Sequence, residues 1–419
     1  MPTPHQSTSD HPTTPDLPVA FAREQFPALS AGETVFLDNA AGAQVPKQVV
    51  ANMVEALTTM QVNKGGAYAA SRRITEAKER VRAQIAEFLN APGADNIAFG
   101  PNATTLVELL AQAVGRGLEP GDEIIVTGMD HHANLDPWRR LEERGAVLKT
   151  WTPQGEHTTL EMEGLEPLLS EKTRVVAMTA ASNALGTLND VAAVADRVHA
   201  LGAKLMVDSV HYAPHYLPDV QALGADMLVF SPYKVFGPHL GVLYLSDAAR
   251  DAFTGPGLSF FGPEATINWE PGTQNHEAIY AFGGTFDYLN EVASEMGIAA
   301  RGRDAWAEVF AAFARHEQTL CGRLLQGLDD RGITRYGLPG VDGRTATVSI
   351  NVGDRSPDEV AKHLAKHDIA VASGHYYAYE LIMAHVGLAE RGGAVRISLL
   401  HYNDASDLDR LFAALDELI

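Results

Sequence analysis

A single cysteine, Cys321, among 419 residues leaves this chain without an internal disulfide or a cysteine-built metal site. Basic side chains are scarce as well. Thirty-two Lys and Arg against 53 Asp and Glu give a formal charge of -21, which repels nucleic acid and anionic membrane surfaces. Nor is there a charge-free apolar run long enough to cross a bilayer. Even Val191 to Val210 is interrupted by Asp196, Arg197, Lys204 and Asp208. Residues 1–19, rich in Pro, Thr and Ser, lack the basic start and apolar stretch of a secretion signal and read as a disordered tail. Neither nucleic acid nor membrane is expected as a partner, and the expected location is cytoplasmic.

Hydrophobic residues at 46% and charged residues at 20% are the balance of an ordinary folded protein. Short apolar runs recur at Ile97–Phe99, Glu123–Thr127, Val175–Thr179, Leu205–Val207, Met227–Phe230 and Gly241–Leu245. Stretches with helical spacing lie between some of them, such as Glu76–Leu89 and Val191–Leu201. Buried strands alternating with helices predict an α/β fold with a largely parallel sheet covered on both faces. From about Asn290 the pattern changes to a long helix over Trp306–Leu328, an alternating strand over Thr345–Asn351 and a helix start at Ser356–Glu359. These imply a second, smaller α+β domain.

Two positions carry most of the chemistry. Asp208 closes the run Leu205–Val207, and Lys234 follows the run Met227–Phe230. An acid and an amine at the carboxyl edge of one sheet suit pyridoxal phosphate, which needs a lysine for its aldehyde and a carboxylate for its ring nitrogen. Either residue alone is ordinary; the pair in this context is informative. A phosphate candidate is the polar turn Gly100–Thr105 ahead of an apolar helix, where free N–H groups and a hydroxyl favour an anion. Taken alone, that turn equally fits a threonine N-cap.

With these residues in view, the chain resembles the fold-type I, class V aminotransferase family, and within it the cysteine desulfurase-like branch. The resemblance runs from about Phe36 to Tyr402 on Phe36–Gly42, Ala103–Thr105, Asp130–Asn134, Ser182–Thr187, Asp208, Lys234, Glu270–Thr273 and Ala394–Ser398. It implies a large cofactor domain over 36–290 with a mainly parallel seven-stranded sheet. A small C-terminal domain over 291–419 would follow, with segment 20–35 packed against it. Lys234 is implied to hold pyridoxal 5'-phosphate, Asp208 to pair with its ring nitrogen, and His131 to stack on the ring and move protons. Ala103, Thr104, Asn183, His211, Ser231 and Tyr233 are implied around the cofactor, with Thr273 reaching the cofactor of a neighbouring subunit in a homodimer. Asn39, Ala40, Asn183, His375, Tyr377 and Arg396 are implied on the substrate side, Arg396 as the clamp for an α-carboxylate.

Departures from that family bear on the reaction. The segment Ala372–Ala378 carries Tyr377 where desulfurases of this type place a persulfide-bearing cysteine, and a phenol cannot take that role. Cys321 sits in a helical stretch and reads as a packing residue. Tyr233 and His211 replace a histidine and a glutamine of the desulfurases, and Ala372 an arginine. The pairs His211/His215 and His363/His367 lack the glutamate and third ligand of a helical zinc motif, so no metal is expected. The resulting expectation is a lyase or desulfurase-like enzyme that cleaves a C–S or similar bond of an amino acid. The alternatives are an aminotransferase, an epimerase or a catalytically silent partner protein.

Overall fold

The computed structural model describes residues 15–262 and 266–419, so most of the expected tail lies outside the described residues. The chain enters through β1 (Val35–Phe36) and then lays down β2 (Ile97–Gly100), β3 (Glu123–Thr127), β4 (Val147–Trp151), β5 (Thr173–Thr179), β6 (Lys204–Asp208), β7 (Met227–Phe230) and β8 (Gly241–Leu245). The strands from β2 onward form one seven-stranded sheet in the order β2-β8-β7-β6-β5-β3-β4. β8 runs antiparallel to both neighbours and every other adjacent pair is parallel. Alternate residues of the central strands enter opposite cores: Val176, Leu205 and Leu228 on one face, Val175, Met206 and Met227 on the other. Burial on both faces is why these strands read as unbroken apolar runs.

Within this seven-stranded sheet, the strand that the sequence reading lacks is β4. It lies at the sheet edge, with Val147 exposed and Leu148, Lys149 and Thr150 half-buried, so no apolar run marks it.

The smaller sheet joins β9 (Thr334–Tyr336), β10 (Thr347–Asn351), β12 (Ala372–Gly374) and β13 (Ala394–Ser398) in the antiparallel order β12-β13-β10-β9, while β11 (Ile369–Ala370) pairs in parallel with β1. The helix Pro357–Ala365 begins where expected, with a reciprocal cap between Ser356 and Glu359. The helix Gly302–Asp329 links the two sheets. Its Trp306, Val309, Phe310 and Phe313 enter a core of the large sheet, and Leu320, Cys321, Leu324 and Leu328 enter the core of the small one. No helix among the described residues is long and apolar enough to cross a membrane.

Candidate active site

Asp208 ends β6, the central strand, and Lys234 sits in a short turn four residues beyond the end of β7. Parallel pairing of β6 with β7 delivers both to the same edge of the sheet. Each is buried, and together they line one cavity. Nine of the ten residues expected around a cofactor line it: Ala103, Thr104, His131, Asn183, Asp208, His211, Ser231, Tyr233 and Lys234. Thr273 does not. It is exposed, beside Lys64, Lys78 and His276 in a separate depression.

Burial disfavours charge on both central groups. It pushes the Asp208 carboxyl up to about 6, even though Val210 N–H donates to it at 2.9 Å and the Lys234 charge opposes the shift. It pulls Lys234 down to about 8, aided by Arg396 and opposed by Asp208 and Asp38. Lys234 Nζ donates to the Ala40 carbonyl at 2.5 Å. Near neutrality the site therefore holds an ionised acid beside an amine close to losing its proton. His131 is pulled down to about 3 by burial and by the charges of Lys234, His132 and Arg396, so its ring is neutral.

At the other end of the cavity, β2 turns into the helix Ala103–Gly115. The N-cap is Asn102, which accepts from Thr105 N–H at 2.8 Å; Thr104 is not the cap. Ala103 N–H donates to Ser231 Oγ at 3.3 Å, and the Thr104 N–H has no carbonyl one turn earlier to bond. The hydroxyls of Thr104 and Ser231 and a helix N-terminus converge here.

A second cavity adjoins the first and shares His131, Asn183, Tyr233 and Lys234 with it. Ala40, His375, Tyr377 and Arg396, all expected on the substrate side, complete it together with Tyr376. Arg396 Nη1 donates to the Asn183 carbonyl at 3.0 Å and Nη2 to Asp38 at 2.9 Å, while Nε is buried without a partner. Asn39 faces elsewhere. Its amide donates to Phe36, Ser398 and Asn403, and its Oδ1 accepts from Tyr402, so it ties the first strand to the small domain.

The loop over the second cavity is strained. Tyr376 and Tyr377 follow one another at φ of 52° and 59°, which costs about 1–3 kcal/mol for each non-glycine residue. Tyr376 is held by its hydroxyl, which donates to the Ala394 carbonyl. Tyr377 is 69% exposed, with its ring centroid 5.3 Å from that of His131.

Asp38, Tyr376 and Asp130 are site residues that the sequence reading does not single out. Asp38, inside the Phe36–Gly42 motif, was passed over because only the fold sets it against Arg396. Asp130 is buried behind the cavity, where desolvation pushes its carboxyl up to about 8. Cys321 is buried in the small-sheet core. The His363–His367 pair does gain a third group from the fold: Glu417 Oε2 lies 3.7 and 3.2 Å from the two Nε2 atoms. His363 Nε2, however, donates to the Ala414 carbonyl at 3.0 Å and so carries a proton where a metal would need a lone pair.

Comparison with known proteins places this geometry. The family model for class-V aminotransferases matches residues 35–411. An aminotransferase-like protein, FGM3, from Gibberella zeae is 36% identical over 410 residues, covering 95% of this chain and 97% of its own. A cysteine desulfurase from Enterobacter sp. is 33% identical over 420 residues, covering 96% and 98%. Among solved structures, an apo cysteine desulfurase from Thermococcus onnurineus superposes with a TM-score of 0.85 at 27% identity, covering 96% of this chain and 98% of that one. The cysteine desulfurase CsdA from Escherichia coli gives 0.81 at 27% identity, with the same coverage.

Proposed function

The chain belongs to the class V aminotransferase family, and from that premise we propose that it cleaves a β-substituent, first of all sulfur, from an amino acid. It is a pyridoxal-phosphate enzyme. Its cavity fits that group on its own evidence: Lys234 and Asp208 stand at one sheet edge, a helix N-terminus with Ser231 at one end suits a phosphate, and His211 presents a buried, unpartnered Nδ1. Bound there, pyridoxal phosphate supplies an electron sink for chemistry at the amino-acid α-carbon.

Each role proposed for the chain's residues follows from placement. Arg396 holds the substrate carboxylate through the guanidinium edge that Asp38 partly occupies. Lys234, with its amine near neutrality, takes the α-proton. Asp208 would keep positive charge on the cofactor's ring nitrogen, and His131, neutral, would supply an apolar face to the ring from the same cavity wall. Thr104 and Ser231 hold the phosphate. Thr273 reaches the cofactor of a neighbouring subunit, a role supported by its exposure outside its own cavity. A homodimer is supported by the stripe Val50, Val54 and Leu57 on the helix Lys47–Thr59, exposed at 46%, 56% and 51%. The reading assigns the enzyme to the cytoplasm.

One observation carries the choice of elimination over a persulfide relay: the cavities hold Lys234 and Arg396 but no thiol, since Cys321 lies in the small-sheet core. Elimination needs none. From L-cysteine the α-proton passes to Lys234, the C–S bond breaks to release sulfide, and water completes the products pyruvate and ammonia. The test is product analysis with L-cysteine, with Lys234→Ala as blank. Pyruvate with sulfide supports the reading, and alanine with sulfide replaces it with desulfuration by another route. Absence of turnover removes cysteine and favours the aminotransferase reading that the Gibberella relative's name suggests.

A further inference from the structure

Where the helix Gly302–Asp329 passes from the core of the large sheet into that of the small one, it carries a buried acid. Glu317 sets Oε2 2.6 Å from Nδ1 of His215, and both side chains are 3% exposed. The His215 ring meets the His211 ring edge to face, with centroids 5.0 Å apart. His211 in turn places Nε2 3.2 Å from Thr345 Oγ1 and lines the cavity of Asp208 and Lys234. An acid, two imidazoles and a hydroxyl thus lead from the domain junction to the cofactor site.

Packing alone does not require this arrangement. A buried ion pair is commonly no more stabilising than apolar side chains of the same volume, and Leu320 and Leu324 on the same helix show what the neighbourhood accepts.

We infer that Glu317 and His215 are positioning residues that keep His211 neutral, with its one proton on Nδ1 and directed at the phenolic oxygen of the cofactor. The inference rests on the cofactor site proposed above. Thr345 Oγ1 is nearer to His211 Nε2, at 3.2 Å, than to the Gly186 carbonyl, at 3.4 Å. The Gly186 carbonyl already accepts Thr345 N–H at 2.9 Å; with the Thr345 hydroxyl donated to the ring, the ring's own proton is on Nδ1, the atom left without a protein partner. The contact with Glu317 fixes the His215 ring against that of His211. Burial acts most strongly against a second proton on His211, and His215, Lys234 and Arg396 add to it. His316 and His401 border the pair on its far side, and Asp208 is the anion within the cavity.

A donor at the phenolic oxygen stabilises its anionic form and lowers the pH at which the bound cofactor's visible absorption titrates. The experiment is that titration on the cofactor-loaded protein. His211→Ala is expected to raise the midpoint by about one pH unit, and His211→Gln, which keeps an N–H donor, to restore most of it. Glu317→Gln and Thr345→Val are each expected to raise the midpoint by about half as much, and neither to add anything in the His211→Ala background. A wild-type midpoint in both variants, or an equal shift with and without His211, overturns the inference. Should Glu317→Gln fail to fold, Thr345→Val decides by the same criterion. A wild-type protein with no visible band after loading removes the cofactor assignment itself, which is a different failure from an unmoved midpoint.

Discussion

The guanidinium of Arg396 lies over the ring of Tyr376, 4.6 Å from its centroid. The same guanidinium bonds Asp38 and the Asn183 carbonyl, so its plane is fixed before any substrate arrives. The strained backbone at Tyr376 is what brings the ring beneath it.

If this plane is the carboxylate clamp, Arg396→Lys should hurt binding although it keeps the charge. Lysine offers a point charge in place of a planar fork and loses the stacked face. The expected result is a KM raised on the order of tenfold, equivalent to about 1.4 kcal/mol, with kcat less affected. A steady-state comparison on an α-amino acid substrate checks this, and an unchanged KM removes Arg396 as the clamp.

Cofactor capture should depend on pH through Lys234. The attacking species is the neutral amine, and burial holds the group down at about 8, so the reactive fraction rises as pH climbs towards that value and levels off above it. Asp208, pushed up to about 6, is already ionised over this range. Stopped-flow mixing of cofactor-free protein with pyridoxal phosphate is expected to show a rate rising by more than about tenfold from about pH 6.5 to 8.5. A flat profile would contradict the depressed lysine.

Much of this was legible in the chain because Asp208 and Lys234 follow strands buried on both faces, where apolar runs are unbroken. β4 was not, since an edge strand carrying Lys149 and Thr150 has no such run. The cavity-lining residues were found through motifs, yet Asn39, from the same motif as Ala40, turns into a structural network because Ser398, Tyr402 and Asn403 converge on it from the far end of the chain. Contacts separated by more than a hundred residues, such as His215 with Glu317 and His211 with Thr345, leave no local periodicity to read.

Cys321 offers a cleaner test of sulfur chemistry. Its thiol is buried among Leu320, Leu324 and Val348, and burial pushes its pKa up, away from the reactive thiolate. Cys321→Ala is expected to leave sulfide release from L-cysteine within twofold of wild type while costing about 1 kcal/mol in stability from the small void. Loss of sulfide release with the fold intact would show that this thiol takes part.

Glu270 is the anion of a buried ion cluster. Its carboxylate meets Lys78 Nζ at 2.9 Å and Arg82 Nη1 at 2.7 Å and accepts from Phe99 N–H at 3.1 Å, all in the buried interior. Burial alone would push this carboxyl up, but the two cations outweigh it and hold it low. Glu270→Gln therefore leaves buried Lys78 without its anion and Arg82 with Glu79 alone, a loss of about 3–5 kcal/mol expected in denaturant unfolding. Adding Lys78→Met should recover part of that loss by removing one stranded charge. Because Glu270 lies three residues before Thr273, the double variant also separates the two roles. If Thr273 must be held in place to reach a neighbouring subunit's cofactor, pyridoxal phosphate affinity stays reduced after stability is recovered; if affinity returns with stability, Glu270 acts on the fold alone.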